Sequence, residues 1–387
     1  MRTASPPAIE WLTADQAEFY DSVCRFAQSL PDDVRERESL QEFSREAWNR
    51  CAAFGIQGMP VPETLGGGGH DAVATMLGLE ALGYGYRDNG LVFSINAHMW
   101  TSEIPIWSFG NTEQQARWLP ALCGGAAIGC HTITEPEAGS DAFAMRSTAT
   151  KVEGGYRLNG QKTFITNAPV ADLFIVFARE GEGVGPFGIS AFLIEAGTPG
   201  LSVGKPLEKL GLRTSPMSEV YLDDLFVPDS AMLGSPGQGG EIFSTSMRWE
   251  RACIMASQVG VMRRTMEACV AYARGRRQFG KPIAKFESVA EKIANMKIAI
   301  DAARALVLRV GWLMDQGREA MAEAAVAKAF VSEANVRLHL DALQIHGGYG
   351  YMREFDVERD LRDALGGTLY SGTTEIQRRI IARSLGL

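Results

Sequence analysis

Met247-Arg248-Trp249-Glu250-Arg251-Ala252-Cys253 places an acid inside what the surrounding pattern makes a buried helix. From Phe243 to about Ala273, Phe243, Met247, Ile254, Val261 and Thr265 recur at spacings of four and seven, the period of one helix face. Glu250 falls on that face, three residues after Met247 and four before Ile254. A carboxylate kept from water has its pKa raised toward the range of a base working near neutrality. Two readings stay open on the pattern alone: a catalytic base, or a structural ion pair with Arg248, Arg251 or an arginine from elsewhere.

Around this helix the chain has 387 residues, more than one core usually organises, so two or three packed domains are expected. Hydrophobic residues make up 46 % and charged residues 22 %, an ordinary globular balance that predicts folding throughout, beyond the Ser5-Pro6-Pro7 start. Net charge is −8, with no basic stripe carrying interleaved aromatics, so nucleic acid is not an expected partner, and an acidic carrier would need a local basic patch. Six scattered cysteines form no C-x-x-C, and no His pair has metal spacing, which points to reduced thiols and no metal. The start lacks the apolar run of a secretory signal and no later stretch suits a membrane span, so a cytoplasmic protein is expected.

The period of the apolar residues divides the chain into helices, a small sheet and helices again, an α+β organisation. Residues 1–125 read as a helical domain. Phe19, Val23, Phe26 and Leu30 mark one helix; after Pro31, Leu40, Phe43, Ala47, Cys51 and Phe54 mark a second, closed by Gly55; a third spans about Asp71 to Leu82. Trp100, Trp107 and Trp118 are read as core. Residues 126–237 read as a small antiparallel barrel or sandwich, with strands at 128–134, 156–158, 163–166, 173–177, 189–194 and 219–222, and with Asn159-Gly160 as a hairpin turn. Residues 238–387 return to helices, including 290–315, 319–346 ended by Gly347-Gly348, and a last one from Thr374 whose hydroxyl and Gln377 have capping-box spacing.

Two familiar motifs fail on context. Gly183-Val184-Gly185-Pro186-Phe187-Gly188 matches a dinucleotide fingerprint, but a strand follows it, so no helix N-terminus is available for a pyrophosphate and a β-turn is expected. Gly200-Leu201-Ser202-Val203-Gly204 matches a hydrolase elbow, but Lys205-Pro206 cannot continue as its buried helix.

A set of polar clusters remains: Thr134-Glu135-Pro136 with Gly139-Ser140-Asp141, Phe164-Ile165-Thr166-Asn167, Arg276-Arg277-Gln278-Phe279-Gly280, Gln344-Ile345-His346-Gly347-Gly348-Tyr349-Gly350, and Gly372-Thr373 with Ile376-Gln377-Arg378. In this order and approximate spacing they resemble the acyl-CoA dehydrogenase flavoprotein family over the whole chain. The resemblance implies a C-terminal four-helix bundle and FAD held between it and the β domain, completed by a neighbouring subunit in a homotetramer. By motif, His131, Ile133, Thr134 and Ser140 would contact flavin or pyrophosphate, while Phe164 and Thr166 would pack on the ring and bond its edge. Arg276, Gln278 and Phe279, with Gln344, Gly347 and Gly348 of a second subunit, would hold pyrophosphate and adenosine, and Thr373 and Glu375 would flank the cofactor. Ser140, Arg251, Tyr370 and Ser371 would face the substrate.

Many members of the family place their catalytic glutamate where this chain has Ser371, and a serine cannot be that base. A second group carries it on the helix preceding Arg251, and Glu250 matches that position. Trp249 to Cys253, Asn167-Ala168-Pro169 and Tyr370 to Thr373 look most like the prolyl-carrier-protein dehydrogenases of pyrrole-forming natural-product pathways. The resemblance implies that Glu250 removes the α-proton of a thioester as a β-hydride leaves for flavin N5, with the carbonyl oxygen held by a flavin hydroxyl and the Ser371 N–H. The substrate is then an acyl or aminoacyl group on a carrier protein, with an electron-accepting flavoprotein or oxygen as the electron acceptor. Rival readings are a short- or branched-chain dehydrogenase of free CoA esters and a non-catalytic flavin-fold binding protein.

Overall fold

The structure is a computed structural model that describes residues 12–181 and 185–387. The Ser5-Pro6-Pro7 start and Gly183-Val184 of the glycine-rich tract lie outside the described residues; Gly185–Gly188, the rest of that tract, forms a short 3-10 turn before a strand.

Seven helices open the described chain: α1 (Ala14–Gln28), α2 (Val34–Leu40), α3 (Arg45–Phe54), α4 (Ala72–Gly85), α5 (Asn89–His98), α6 (Ile104–Phe109) and α7 (Thr112–Cys123). The stripe from Leu40 to Phe54 is not one helix. Gln41 takes the left-handed conformation at φ 57°, which ends α2, and Ser44 starts α3 afresh by accepting from Ala47 N. Leu40 is consequently 65 % exposed rather than core. Between α5 and α6, Met99–Glu103 is wound as a π-helix, and of the three expected core tryptophans Trp100 is fully buried there while Trp107 and Trp118 are only partly buried.

The middle segment forms a sheet of eight strands: β1 (Gly129–Thr132), β2 (Thr148–Val152), β3 (Gly155–Thr166), β4 (Leu173–Glu180), β5 (Ile189–Glu195), β6 (Leu201–Val203), β7 (Met217–Pro228) and β8 (Met232–Leu233). Their order is β6-β7-β3-β2-β4-β5-β8, with β1 beside β4. The expected all-antiparallel pairing holds except at β4, where β1 and β2 both pair in parallel. Asn159-Gly160 is not a hairpin turn. β3 runs straight through it with a register shift against β7, because Asn159 Oδ1 accepts from Asp224 N in the facing strand and Gly160 lies so close to Ser147 that a Cβ would meet its Oγ at 2.1 Å. The turn into β3 is made by Gly154, at φ 75°.

The remaining chain is α8 (Gly239–Gly275), a short hairpin β9 (Arg277–Gln278) and β10 (Lys281–Pro282), α9 (Glu287–Asp315), α10 (Met321–His346), α11 (Val357–Gly366) and α12 (Thr374–Ser384). Thr373 rather than Thr374 caps α12, its Oγ1 accepting from Ile376 N at 3.4 Å. One apolar core joins the first helices to this bundle, with Tyr20, Met76, Leu79, Ile254, Met255, Val259, Val307 and Val331 all in it. The two faces of the sheet carry separate clusters, one around Phe177 and Leu193 and the other around Phe174 and Phe192. No described helix is long and apolar enough to cross a membrane.

Candidate functional site

Glu250 lies about one third of the way along α8, on the face its neighbours predict: Met247, Ile254, Val261 and Thr265 are buried, and Glu250 is 7 % exposed. The ion pair that was the alternative reading is not formed, since Glu250 has no cation within salt-bridge distance among the described residues. Its Oε1 accepts a hydrogen bond from Ser371 Oγ at 2.7 Å, and its buried Oε2 has no partner among the described residues. Burial pushes its pKa up, against the Ser371 hydroxyl and the charges of Arg251 and Lys328. A carboxylate with one oxygen anchored and the other free is built to take a proton.

Ser371 sits in the loop between α11 and α12 at φ 56°, followed by Gly372 at φ 87°. The carbonyls of this left-handed pair are heavily engaged. Ser371 O accepts from Arg251 Nε at 3.2 Å and Gln377 Nε2 at 3.1 Å; Gly372 O accepts from Gln377 Nε2 at 2.8 Å and Lys328 Nζ at 2.7 Å. The N–H groups of Ser371, Gly372 and Thr373 make no hydrogen bond among the described residues, so three donors stand together, beginning at the residue that anchors the base. Tyr370 packs its ring on Phe93 at 4.6 Å, and burial, then Glu250 and Asp363, push its phenol well above the ordinary range, which keeps it neutral.

The chain thus brings Glu250, Arg251, Tyr370 and Ser371 together, while Ser140 is an exposed residue of the β1–β2 connection. Arg251 spends its Nε on the loop carbonyl. Lys328 and the bonding role of Gln377 were not read from the sequence. The signal for Lys328 was present: a lone cation among Ala324, Ala325, Ala327 and Val331 on a buried helix face, the mirror image of Glu250.

The β-domain residues cluster at the ends of β1 and β3. Thr134 O accepts from Thr163 N at 2.9 Å, which holds Thr134 beside the C-terminal half of β3, where Phe164 is 62 % exposed and Thr166 partly so. Phe164 is presented outward by a backbone at φ 57°. Ile133 is 6 % exposed within the core. His131 stacks on Phe243 of α8 with ring planes 10° apart and meets Phe177 edge-on; its buried Nε2 has no partner among the described residues, and burial, then the Lys162 charge, lower its pKa to about 3, so the ring is neutral. Beneath the Thr134-Glu135-Pro136 turn lies another buried pair that sequence reasoning missed: Lys162 Nζ donates to Glu135 Oε1 at 2.8 Å, and Glu135 also accepts from Arg146 N at 2.6 Å and Ser147 N at 3.0 Å.

A separate cavity of about 480 Å³ is lined by Tyr272, Arg276, Gln278, His346, Gly347 and Gly348 among others. Arg276 leans over the Tyr349 ring at 5.4 Å, and Gly347 and Gly348 have open space where a Cβ would project. Phe279 and Gly280, both at positive φ, form the two-residue turn of the β9–β10 hairpin and carry the Phe279 ring out to 93 % exposure. Arg276 and Gln278, which the resemblance assigns to one subunit, line the same cavity of this chain as Gly347 and Gly348, which it assigns to a second. Gln344 is exposed on the last turn of α10 and is not part of the lining. None of the β-domain candidates lines it either. Thr373 caps α12 and Glu375 is exposed in its first turn, where the backbone N–H and the Thr373 hydroxyl lower its pKa.

These parts suit FAD. A cavity with a cation, an amide and two unobstructed glycines accepts a charged nucleotide, while an exposed aromatic face beside two threonines accepts a flat polar ring.

Three family profiles match in order: the acyl-CoA dehydrogenase N-terminal domain at residues 13–126, the middle domain at 130–225 and the C-terminal domain at 237–386. The chain belongs to the acyl-CoA dehydrogenase family. A relative from Serratia sp. (strain ATCC 39006), an L-prolyl-[peptidyl-carrier protein] dehydrogenase, is 43 % identical over 377 residues, 97 % of this chain and 98 % of its own. The short-chain specific acyl-CoA dehydrogenase of Megasphaera elsdenii is 36 % identical over 379 residues, 97 % of this chain and 98 % of its own. Among solved structures, the prolyl acyl carrier protein oxidase AnaB superposes with a TM-score of 0.96 at 43 % identity, covering 97 % of this chain and 100 % of AnaB.

Proposed function

We propose that this acyl-CoA dehydrogenase family member is an FAD-dependent dehydrogenase that oxidises an aminoacyl thioester, prolyl in the first place, on a peptidyl carrier protein. The observation that carries the chemistry is Glu250: buried, in no ion pair among the described residues, with Oε1 anchored by Ser371 and Oε2 open. The substrate class rests on the relatives whose names specify it, the prolyl dehydrogenase and AnaB, both 43 % identical over almost the whole chain, and on the solved complex of PigA with FAD and proline at a TM-score of 0.95.

In this reading the free N–H groups at Ser371 and Gly372 hold the thioester carbonyl oxygen, which makes the α-proton acidic enough for Glu250 Oε2 to remove it. Bound FAD supplies the hydride acceptor for the hydrogen leaving the β-carbon, so the product is the α,β-unsaturated thioester. Phe164, Thr166, Thr134 and His131 meet the flavin end, while Arg276, Gln278, Gly347 and Gly348 hold the nucleotide end. Because that cavity includes no β-domain residue, a second copy of the chain presents its cavity to the β domain of the first, in a homotetramer. The exposed Phe279, Tyr351, Met352 and Phe355 near the cavity support such a contact. An electron-accepting flavoprotein or oxygen reoxidises the cofactor, and the protein works in the cytoplasm.

The test is anaerobic flavin reduction with L-proline loaded on a peptidyl carrier protein and, separately, with prolyl and butyryl groups on CoA. Bleaching by the carrier-bound prolyl group alone is expected; efficient bleaching by butyryl-CoA with none from the carrier refutes the substrate. Glu250→Gln is expected to keep FAD and lose reduction by at least 10³-fold, the scale on which removal of an essential base acts; wild-type bleaching by that variant refutes the base.

A further inference from the structure

Glu250 does not face the substrate alone; it is held by a loop whose own conformation is held by a buried cation. We infer that Lys328 and Ser371 are positioning residues for the base: Ser371 anchors Glu250 Oε1 through its hydroxyl, and Lys328 fixes the loop that presents that hydroxyl. This rests on the reading of Glu250 as the base.

A serine at φ 56° beside a glycine at φ 87° is a backbone that an L-residue adopts only when its surroundings over-determine it. Here the surroundings are the donors on the outward carbonyls. Lys328 Nζ and Gln377 Nε2 reach Gly372 O at 2.7 and 2.8 Å, and Arg251 Nε and Gln377 Nε2 reach Ser371 O at 3.2 and 3.1 Å. Turning the carbonyls toward α8, α10 and α12 turns the N–H groups of Ser371, Gly372 and Thr373 away from them, and none of these N–H groups has a partner among the described residues. The Ser371 side chain is then left with one role, its 2.7 Å bond to Glu250. Three helices supply these contacts to the loop, so none of the contacts can be altered without a consequence at the base.

Lys328 is fully buried, yet it forms no salt bridge among the described residues. The titratable and charged groups facing it and Glu250 are Arg251 on α8, Tyr370 in the loop and Glu375 on α12, with Asp363 of α11 beyond Tyr370. Burial lowers the Lys328 pKa to about 8, against Glu250, which pulls it up; at neutral pH it keeps its proton. Its charge and the Ser371 hydroxyl both favour the ionised carboxylate, against the burial that disfavours it. A buried lysine that served only to fill α10 would do so equally well as methionine.

The test is an infrared pH titration of the FAD-loaded protein, in which the difference between wild type and Glu250→Gln isolates the Glu250 carboxyl band, with FAD content and flavin reduction measured on the same samples. Ser371→Ala and Lys328→Met are each expected to move the Glu250 titration up by about one unit, the scale of one lost charge-assisted hydrogen bond. Lys328→Arg, which keeps the charge and a donor, is expected to hold it within a few tenths. All three keep FAD. Should Lys328→Met not fold, Ser371→Ala decides the hydroxyl and Lys328→Arg against Lys328→Gln decides the charge. A Glu250 titration unmoved in Ser371→Ala and in the uncharged Lys328 variant overturns the inference. Flavin reduction persisting in Glu250→Gln overturns instead the reading of Glu250 as the base, whatever the titrations show.

Discussion

Lys162→Met tests whether the buried pair beneath the Thr134-Glu135-Pro136 turn holds that turn against β3. Methionine matches the lysine stem, so no large cavity opens; what is lost is the ammonium. Lys162 is fully buried and Glu135 is 5 % exposed, and the variant leaves the carboxylate with only the Arg146 and Ser147 N–H groups. Breaking a buried pair by removing one partner costs about 3–5 kcal/mol, and the two surviving donors place this case near the lower figure, about 3 kcal/mol. Because the three segments of the chain need not unfold together, the local measurement is the better one. Native-state hydrogen exchange of β3 amides should accelerate by roughly 10²-fold, which is 3 kcal/mol at 1.36 kcal/mol per factor of ten. The double variant Lys162→Met, Glu135→Gln, which leaves no unpaired charge, should recover most of it.

The pH dependence follows from the Glu135 carboxyl. Burial works to raise it, but the Lys162 charge and the surrounding donors outweigh that and hold it below the usual carboxylate range. A depressed folded pKa adds stability above the unfolded pKa of about 4.3, and that stability is lost as pH falls through the folded value. Without Lys162 the folded pKa rises and this contribution disappears, so the gap between wild type and variant should close in acid. Exchange in Lys162→Met within threefold of wild type at pH 7 would refute the reasoning.

Three further outcomes are expected. In Glu250→Gln, a second change of Ser371→Glu should restore part of the flavin reduction, because Ser371 Oγ already lies 2.7 Å from Glu250 Oε1; recovery of at least tenfold over the single variant is the expected result. Arg276→Gln should weaken FAD retention about 10- to 100-fold in equilibrium dialysis, the loss of one charge-assisted contact in the 480 Å³ cavity, and an unchanged affinity would remove that cavity from the cofactor site. Gly372→Ala puts a Cβ at φ 87° and 2.9 Å from Gln377 Nε2, so it should lower the maximal rate of reduction while FAD content stays near wild type.

What a single periodic segment can state was legible in the chain. Glu250 and its apolar companions share a face because the helical period is fixed by backbone geometry, and the order of helices, strands and helices followed from the change of period. Contacts between distant segments were not legible. Asn159-Gly160 has the composition of a turn, yet β7 supplies ladder partners on both sides of it and the strand continues. Gln41 breaks a stripe whose apolar spacing is intact, since a left-handed residue leaves no mark on periodicity. Arg276 and Gln278 precede Gly347 and Gly348 by about seventy residues, and only the packing of α8 on α10 brings both to one cavity.

The base shows the same division. By itself the sequence determined that a carboxylate lies on a buried helix face and that the last loop carries serine where many relatives of the family carry the acid. Only the tertiary structure decided that this carboxylate pairs with no cation among the described residues, that Ser371 anchors one of its oxygens and that Lys328 of α10 braces the loop that does so. The reason is physical: burial on a helix is a local property written in spacing, whereas the charge state of a buried acid depends on which donors three other elements bring within hydrogen-bond reach.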